Sequence, residues 1–372
     1  MKTLPESTIF LYNLQTLNLQ YCHSLEMLPK DTRHLKNLKY LDLRSCSLLT
    51  SMPVGLGQLS CLRKLSMFVV GKDIGCEAKN ANLKKKQNLS SLSLSWQVES
   101  LETSHHQHRN DEEILNVLQP HSSLKKLCIF GYQGDRFPYW MMDLLLPNLV
   151  EISLEDCEIC DQLPPLGKLR FLKVLTIKVM GALKYIDSNF YGDMESSFPS
   201  LKVLEIGMAP CLEEWTTVNG REQFPLLRSL TIKCCPKLVK MPMLQSLKKL
   251  EIGGINVTLL KSLMMNATIL TSLWINEVDE LTDLPDGLLQ NQKHLDSLTI
   301  VSSTLKSLSD MLDNLSTLEH LELESCLQLE SLPAGLQNIS SLKTLDLSQC
   351  DSLVSLPANG LQGLLSLSSL RI

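Results

Sequence analysis

Three histidines within four positions, His105, His106 and His108, with His121 close behind, are the first place on this chain where side chains could hold a metal. Neutral imidazoles ligate zinc, but a structural site takes three or four ligands on a rigid frame. The string ETSHHQHRNDEEILNVLQPH (102–121) is polar at its start and brings no matching cysteine pair. Cys157-Glu-Ile-Cys160 is one CxxC without a second pair, and Cys234-Cys235 is no better placed, so neither predicts a zinc or redox centre. Lys84, Lys85 and Lys86 form a charge run whose expected place is a solvated corner. There is no GxxxxGK[ST] phosphate cradle, nucleophile elbow or paired-acid motif. These residues predict no catalysis, no bound metal and no cofactor in this segment.

What would position such groups is a repeat. Apolar residues recur as LxxLxL fifteen times, from Leu14, Leu17 and Leu19 to Leu367, Leu370 and Ile372. First leucines fall at 14, 38, 62, 89, 124, 149, 172, 201, 227, 247, 270, 295, 318, 342 and 367, a mean period of about 25 residues. That spelling and period is a leucine-rich repeat, one short strand plus a return segment. Within each window the alternation is strand-like: Leu17 and Leu19 face inward, Thr16, Asn18 and Gln20 outward. The predicted fold is an α/β solenoid, a leucine-rich-repeat horseshoe spanning 1–372. Its concave face is a parallel β-sheet of about 15 short strands, and its convex side is irregular with few short helices. Leu-Pro or Met-Pro pairs at 4–5, 28–29, 52–53, 163–164, 241–242, 284–285, 332–333 and 356–357 mark the returns. Proline lacks an N–H and fixes φ, so these stretches cannot form a regular convex sheet. The 35-residue step from Leu89 to Leu124 predicts an insertion over 97–121, a loop followed by a short helix from Asp111 to Leu118. Asp111 is the expected N-cap, and Ile114, Leu115 and Leu118 are expected to face the core.

Six of the twelve cysteines, Cys22, Cys46, Cys157, Cys235, Cys326 and Cys350, stand eight residues after a first leucine. One shared register position marks a buried structural slot for reduced thiols rather than a disulfide framework. No signal-peptide h-region opens the chain, and together these predict a cytoplasmic protein. The five sequons at Asn88, Asn256, Asn266, Asn314 and Asn338 arise from strings such as NLSSL and NISSL. Net charge is −5, which makes no case for nucleic acid, and no run of 18 apolar residues exists to span a membrane. The chain starts inside a return segment and stops at the third apolar residue of a strand, so the solenoid is expected to be incomplete at both ends, a segment of a longer protein.

Several strings go beyond the generic repeat: LQPHSSLKKLCIFGYQGDRFPYWM (118–141), LPNLVEISLEDCEICDQLPPLGKLRFLKVLTI (146–177), LKYIDSNFYGD (183–193), FPSLKVLEI (198–206) and LEEW (212–215). With LYNLQTLNLQYCHSLEMLPKDTRHLKNLKYLDLRSC (11–46), the chain resembles the leucine-rich-repeat region of plant intracellular nucleotide-binding leucine-rich-repeat disease resistance proteins of the coiled-coil class. The resemblance implies a ligand-recognition and autoinhibitory module in plant defence. It would bind its own nucleotide-binding domain and a pathogen effector or guarded host protein. ATP or ADP is implied only for a nucleotide-binding domain upstream. A free-standing adaptor or decoy without a nucleotide switch is the alternative. Around FVVGKDIGCEAKNANL (68–83) the family usually has a further repeat, whereas here two strings nearly abut at Gly75, Cys76 and Glu77, as a deleted repeat or a mis-spliced gene would leave them, and a disturbed register is expected near Leu62–Leu89.

Partner-binding candidates are the side chains expected on the concave face. They are Tyr40, Arg44, Lys64 and Phe68 in the early repeats, Trp96 at the end of the fourth strand, Glu151 and Glu155, then Trp274, Glu322, Glu324 and Asp346. Large aromatics expected to face solvent are interface candidates.

Overall fold

In a computed structural model the described residues are 1–71, 75–96, 111–192, 196–216, 222–279, 281–284, 287–308, 312, 315–356 and 361–372. They form two compact units, one of residues 1–183 with 189–200, the other of 184–188 with 201–372. The first holds seven parallel strands in chain order: β1 (Thr16–Asn18), β2 (Tyr40–Asp42), β3 (Lys64–Val70), β4 (Ser91–Trp96), β5 (Lys126–Phe130), β6 (Glu151–Glu155) and β7 (Val174–Lys178). The second holds eight: β8 (Val203–Gly207), β9 (Ser229–Lys233), β10 (Lys249–Gly253), β11 (Ser272–Asn276), β12 (Ser297–Val301), β13 (His320–Glu324), β14 (Thr344–Asp346) and β15 (Ser369–Arg371). Register follows the leucines. Leu92 pairs with Leu127, Leu127 with Ile152 and Ile152 with Leu175, and in the second unit Leu230, Leu250 and Leu273 stack likewise. Every second side chain of these strands is buried, which is the period-2 pattern of a sheet wet on one face. This is a leucine-rich-repeat solenoid.

In most repeats the residue seven after the first leucine turns the chain. Tyr21, Ser45, Asp156, Val179, Met208, Cys234, Glu277, Ser325 and Gln349 all have φ between 43° and 63°, and Gly131 and Gly254 take the same place in their repeats. In this conformation the N–H makes a last ladder bond, as from Asp156 to the Lys178 carbonyl (2.9 Å) and from Glu277 to Val301 (2.9 Å). The next side chain then points inward, and that is the cysteine slot. Cys46 Sγ donates to the Leu19 carbonyl at 3.2 Å and Cys350 Sγ to Leu323 at 3.3 Å, so each thiol ties its repeat to the one before. A β-branched residue tolerates this backbone poorly. Val179→Gly is therefore expected to stabilise by about 1 kcal/mol, read from urea unfolding; an unchanged midpoint would contradict the strain argument.

The return side is built of short turns. Single-turn 3-10 segments at Thr32–His34, Leu56–Gln58, Leu83–Lys85 and Leu166–Lys168 each bury one or two residues against the sheet. Isolated parallel bridges join the residues ahead of successive Leu-Pro pairs, such as Thr3 with Met27 and Ser331 with Ser355. The insertion helix runs Asp111–Val117. Asp111 is not its cap but its first residue and is buried; Leu115 and Leu118 are buried, while Ile114 is only half-buried. One longer helix, Val257–Asn266, fits within the Leu247–Leu270 repeat. Asn256 caps it, accepting from the Leu259 N–H (2.9 Å) while its amide donates to the Pro236 and Leu238 carbonyls. That sequon asparagine is thus a helix cap.

Within β3 the register shifts at a bulge, ahead of the junction at Gly75–Glu77. Lys64 and Leu65 pair with Ser91 and Leu92, then one extra residue intervenes and Phe68 pairs with Leu94. Ser66 Oγ takes over the bond that the ladder loses, accepting from the Leu43 N–H at 2.9 Å. A helix, Gly75–Ala81, occupies the return of this repeat.

Candidate functional site

The groups that could do chemistry are placed for packing. Cys157 and Cys160 are both buried, and burial pushes the Cys157 thiol up to about 12 and the Cys160 thiol higher still. Cys160 Sγ donates to the Gly134 carbonyl at 3.0 Å. Thiols held protonated are poor ligands and nucleophiles. Cys235 is buried in its slot and pushed up to about 11, while Cys234 is exposed. No group of three or more His, Cys, Asp or Glu side chains among the described residues could hold a metal ion. His105, His106 and His108 lie outside the described residues; His121 Nδ1 is 2.9 Å from Ser123 Oγ.

The lysine run corrects the expectation of a solvated corner. Lys84 and Lys85 are exposed, but Lys86 is buried. Its Nζ donates to the carbonyls of Leu56 (3.0 Å), Gly57 (3.3 Å) and Leu59 (2.8 Å) in the preceding return turn. Three residues before the first leucine lies a buried column, occupied elsewhere by Leu35, Leu59, Leu146, Leu169 and Ile339. Lys86 stands where the column has leucine, a signal present in the spacing.

What remains open is the outward face of the sheet. In the first unit a groove of about 1120 Å³ runs over β3 to β6, floored by Ser93, Cys128 and Ser153 and flanked by Lys64, Lys126 and Phe130. Small floor residues between longer flanks make the trench. Tyr40 is 42% exposed and Phe130 39%. Phe130 was not among the sequence candidates, although its parity, opposite to Leu127 and Ile129, marks it as outward. Lys64 has no ion pair or side-chain hydrogen bond among the described residues. Arg44 is committed internally: its Nη2 lies 2.6 Å from Asp42, and this guanidinium, with Ser66, holds the Asp42 carboxyl far below the usual range against the opposing effect of burial. Glu151 pairs with Lys126, and Glu155 accepts from Ser153 Oγ.

Two candidates are not on this face. Phe68 is 1% exposed because the bulge at Ser66 and Met67 flips its parity, leaving Met67 in the groove instead. Trp96 is also 1% exposed: it shares parity with Leu92 and Leu94 and packs edge-on against Tyr132, ring centroids 5.2 Å apart.

The second unit places its candidates outward. Trp274 is half-buried with Lys233 Nζ 4.3 Å from its ring centroid, a cation–π contact. Glu322 accepts from Thr299 Oγ1 at 3.1 Å, and Glu324 is exposed. Burial opposes ionisation of Asp346, but hydrogen bonds from Ser348 and the Arg371 guanidinium outweigh it and hold the carboxyl below its ordinary range.

The idiosyncratic strings turn out to be packing devices. Tyr132 fills the cysteine slot, its hydroxyl donating to the Arg136 carbonyl at 2.6 Å and its ring stacking on Phe137. Trp140 Nε1 donates to the Leu115 carbonyl at 3.0 Å. Gly167 of PLGKL lies against the backbone of Tyr191 in NFYGD, beside a cluster of Phe190, Tyr191 and Phe198. Trp215 of LEEW meets Phe224 edge-on.

Known families and proteins match this chain. The family described as R13L1/DRL21 LRRs matches residues 71–180, and the general Leucine Rich Repeat family matches 37–59. The disease resistance protein RGA2 of Solanum bulbocastanum is 38% identical over 311 residues, 74% of this chain and 32% of that protein. The putative disease resistance protein RGA1 of the same species is 38% identical over 272 residues, 66% and 27%. The putative disease resistance RPP13-like protein 1 of Arabidopsis thaliana is 31% identical over 269 residues, 69% and 24%.

The chain belongs with the leucine-rich-repeat regions of plant disease resistance proteins.

It spans about a quarter to a third of the length of these relatives. Solved structures share the fold of this resistance-protein repeat region at low identity. The Leptospira interrogans LRR protein LIC12759 aligns with TM-score 0.51 at 21% identity, over 99% of this chain and 93% of that one. A TLR13–ssRNA13 complex aligns with TM-score 0.59 at 19% identity, over 98% and 55%. No helix among the described residues is long and apolar enough to cross a membrane.

Proposed function

We propose that this repeat region is the non-enzymatic recognition and autoinhibitory module of a cytoplasmic plant immune receptor. The observation that carries the reading is the groove of the first unit. Phe130 stands open in it beside the half-buried, unpaired Lys64, whose register partner Tyr40 is also exposed, while buried thiols and the buried Lys86 are used up in packing. Exposed aromatics beside an unpaired cation are the composition of a protein-binding hot spot. In this reading the early repeats dock on the receptor's own nucleotide-binding domain, which would carry the ATP or ADP. The outward face around Trp274, Glu322 and Glu324 meets a pathogen effector or a guarded host protein. Activation is then a population shift, driven by the ligand's preference for the released state.

In the full-length receptor expressed in leaf tissue, Tyr40→Ala combined with Lys64→Glu is expected to raise resting cell-death signalling at least several-fold. Trp274→Ala combined with Glu322→Lys is expected to leave the resting level unchanged and to abolish the response to the cognate effector. An unaltered resting state in the first variant, at normal protein abundance, would sink the autoinhibitory assignment. Retained effector response in the second would sink the recognition face.

A further inference from the structure

Counting each repeat from its first leucine, position 2 lies just ahead of the strand. In three successive repeats of the second unit it holds Lys202, Arg228 and Lys248, and position 3 of the last adds Lys249. The backbone makes this a row: the Arg228 N–H donates to the Lys202 carbonyl and the Lys248 N–H to the Arg228 carbonyl, each at 2.9 Å. Neighbouring side chains therefore start roughly 4.8 Å apart. All four cations are exposed. Side chains at this position do reach from repeat to repeat, since further along the same row Lys343 pairs with Glu319 at 2.7 Å. Yet among the described residues none of the four has an ion pair or a side-chain hydrogen bond. The adjacent acid Glu251 is taken by Lys233 at 3.2 Å. Two apolar side chains flank the row in the open, Val203 (38% exposed) and Leu226 (47%).

The geometry points to this row as a docking strip for an acidic amphipathic helix of a partner protein. Carboxylates at i, i+4 and i+7 on a helix recur about every 5 Å along one face, close to the roughly 4.8 Å repeat of the cations. On an extended strand, same-face carboxylates recur about every 6.8 Å and fall out of step within three residues. Apolar residues beside the acidic stripe would cover Val203 and Leu226. A row of like charges repels itself, and a helix supplying the missing carboxylates removes that repulsion. The variants below alter none of the residues named for the groove or for the Trp274 face, so this test stands apart from theirs.

The test is fluorescence anisotropy of the full chain with two helical peptides of identical composition. One carries its glutamates in an i, i+4, i+7 stripe, the other has them scattered round the helix. The striped peptide is expected to bind at least about tenfold tighter, a difference of about 1.4 kcal/mol. Arg228→Glu with Lys248→Glu should erase that preference at an unchanged melting temperature. Lys343→Glu, in the same row but already paired, should leave it intact. Equal binding of the two peptides, or a preference that survives the double variant, would overturn the proposal. Cosedimentation with phosphatidylserine vesicles that only the double variant loses, without any peptide preference, would assign the strip to a lipid surface and overturn it as well.

Discussion

Gly167→Ala is expected to destabilise the first unit by about 3–4 kcal/mol, more than a usual overpacking substitution. A Cβ at this position would meet the Tyr191 carbonyl oxygen at 2.4 Å, its Cα at 2.8 Å and its carbonyl carbon at 2.9 Å. All three are backbone atoms, and they cannot swing aside as a side chain would. The backbone there is held from both directions: Phe198 N–H donates to the Gly167 carbonyl at 2.9 Å, and Ser197 Oγ to the Tyr191 carbonyl at 3.3 Å. Tyr191 is further wedged against Phe190 and Phe198. The next residue of each string meets as well, because Lys168 lies where a side chain on Gly192 (φ 72°) would have to go. Gly181→Ala is the control. Its Cβ would find nothing nearer than 3.4 Å, so its effect should stay within about 0.5 kcal/mol. Urea unfolding followed by circular dichroism separates the two variants, and equal midpoints would refute the clash. The result would also show that PLGKL and NFYGD each supply the surface the other packs on.

Lys86→Glu is expected to cost about 4 kcal/mol, whereas Lys86→Leu should stay within about 1 kcal/mol of the parent. The glutamate would set an acceptor-only carboxylate among the Leu56, Gly57 and Leu59 carbonyls, with no donor to offer. Leucine gives up three hydrogen bonds but also removes a buried charge, and it matches the rest of the column at Leu35, Leu59 and Leu169. Lys84→Glu, on an exposed neighbour, should be nearly silent. Burial pulls the Lys86 ammonium down from 10.5 to about 8. Between those values the unfolded chain binds the proton that the folded chain has released, so stability should rise as pH increases from about 8 to about 10.5. That rise should be missing from Lys86→Leu. Hydrogen exchange of amides 56–62, measured against pH, would show it locally even if the solenoid does not unfold in one step.

Much of this is legible in the sequence itself. The first leucines set the strands, and the burial of Leu92, Leu94, Leu127 and Ile129 follows from parity alone. The cysteine register was legible too, but not its cause. A thiol at that place is useful because the preceding residue turns left-handed and aims it at the previous repeat's carbonyl. The burial of Trp96 follows from its parity with Leu92 and Leu94, against the expectation that it lines the outward face. Lys86 was misplaced because three adjacent lysines read as one solvated run, when the spacing from Leu89 put one of them in the leucine column.

Phe68 is of another kind. Nothing local in KLSMFVV says which residue is extra, and strict alternation puts Phe68 outside. Only pairing with β4 shows that Ser66 and Met67 share one place, which sends Phe68 inward and brings Met67 into the groove. The family, the repeat period and the inward face of each strand were determined by the sequence, because apolar periodicity is a local code that each repeat writes in full. The bulge, the groove, the carbonyl cage around Lys86 and the unpaired row at Lys202, Arg228 and Lys248 were decided by tertiary structure. Each depends on which atoms of a neighbouring repeat, some 20–35 residues away in the chain, come within bonding distance or fail to.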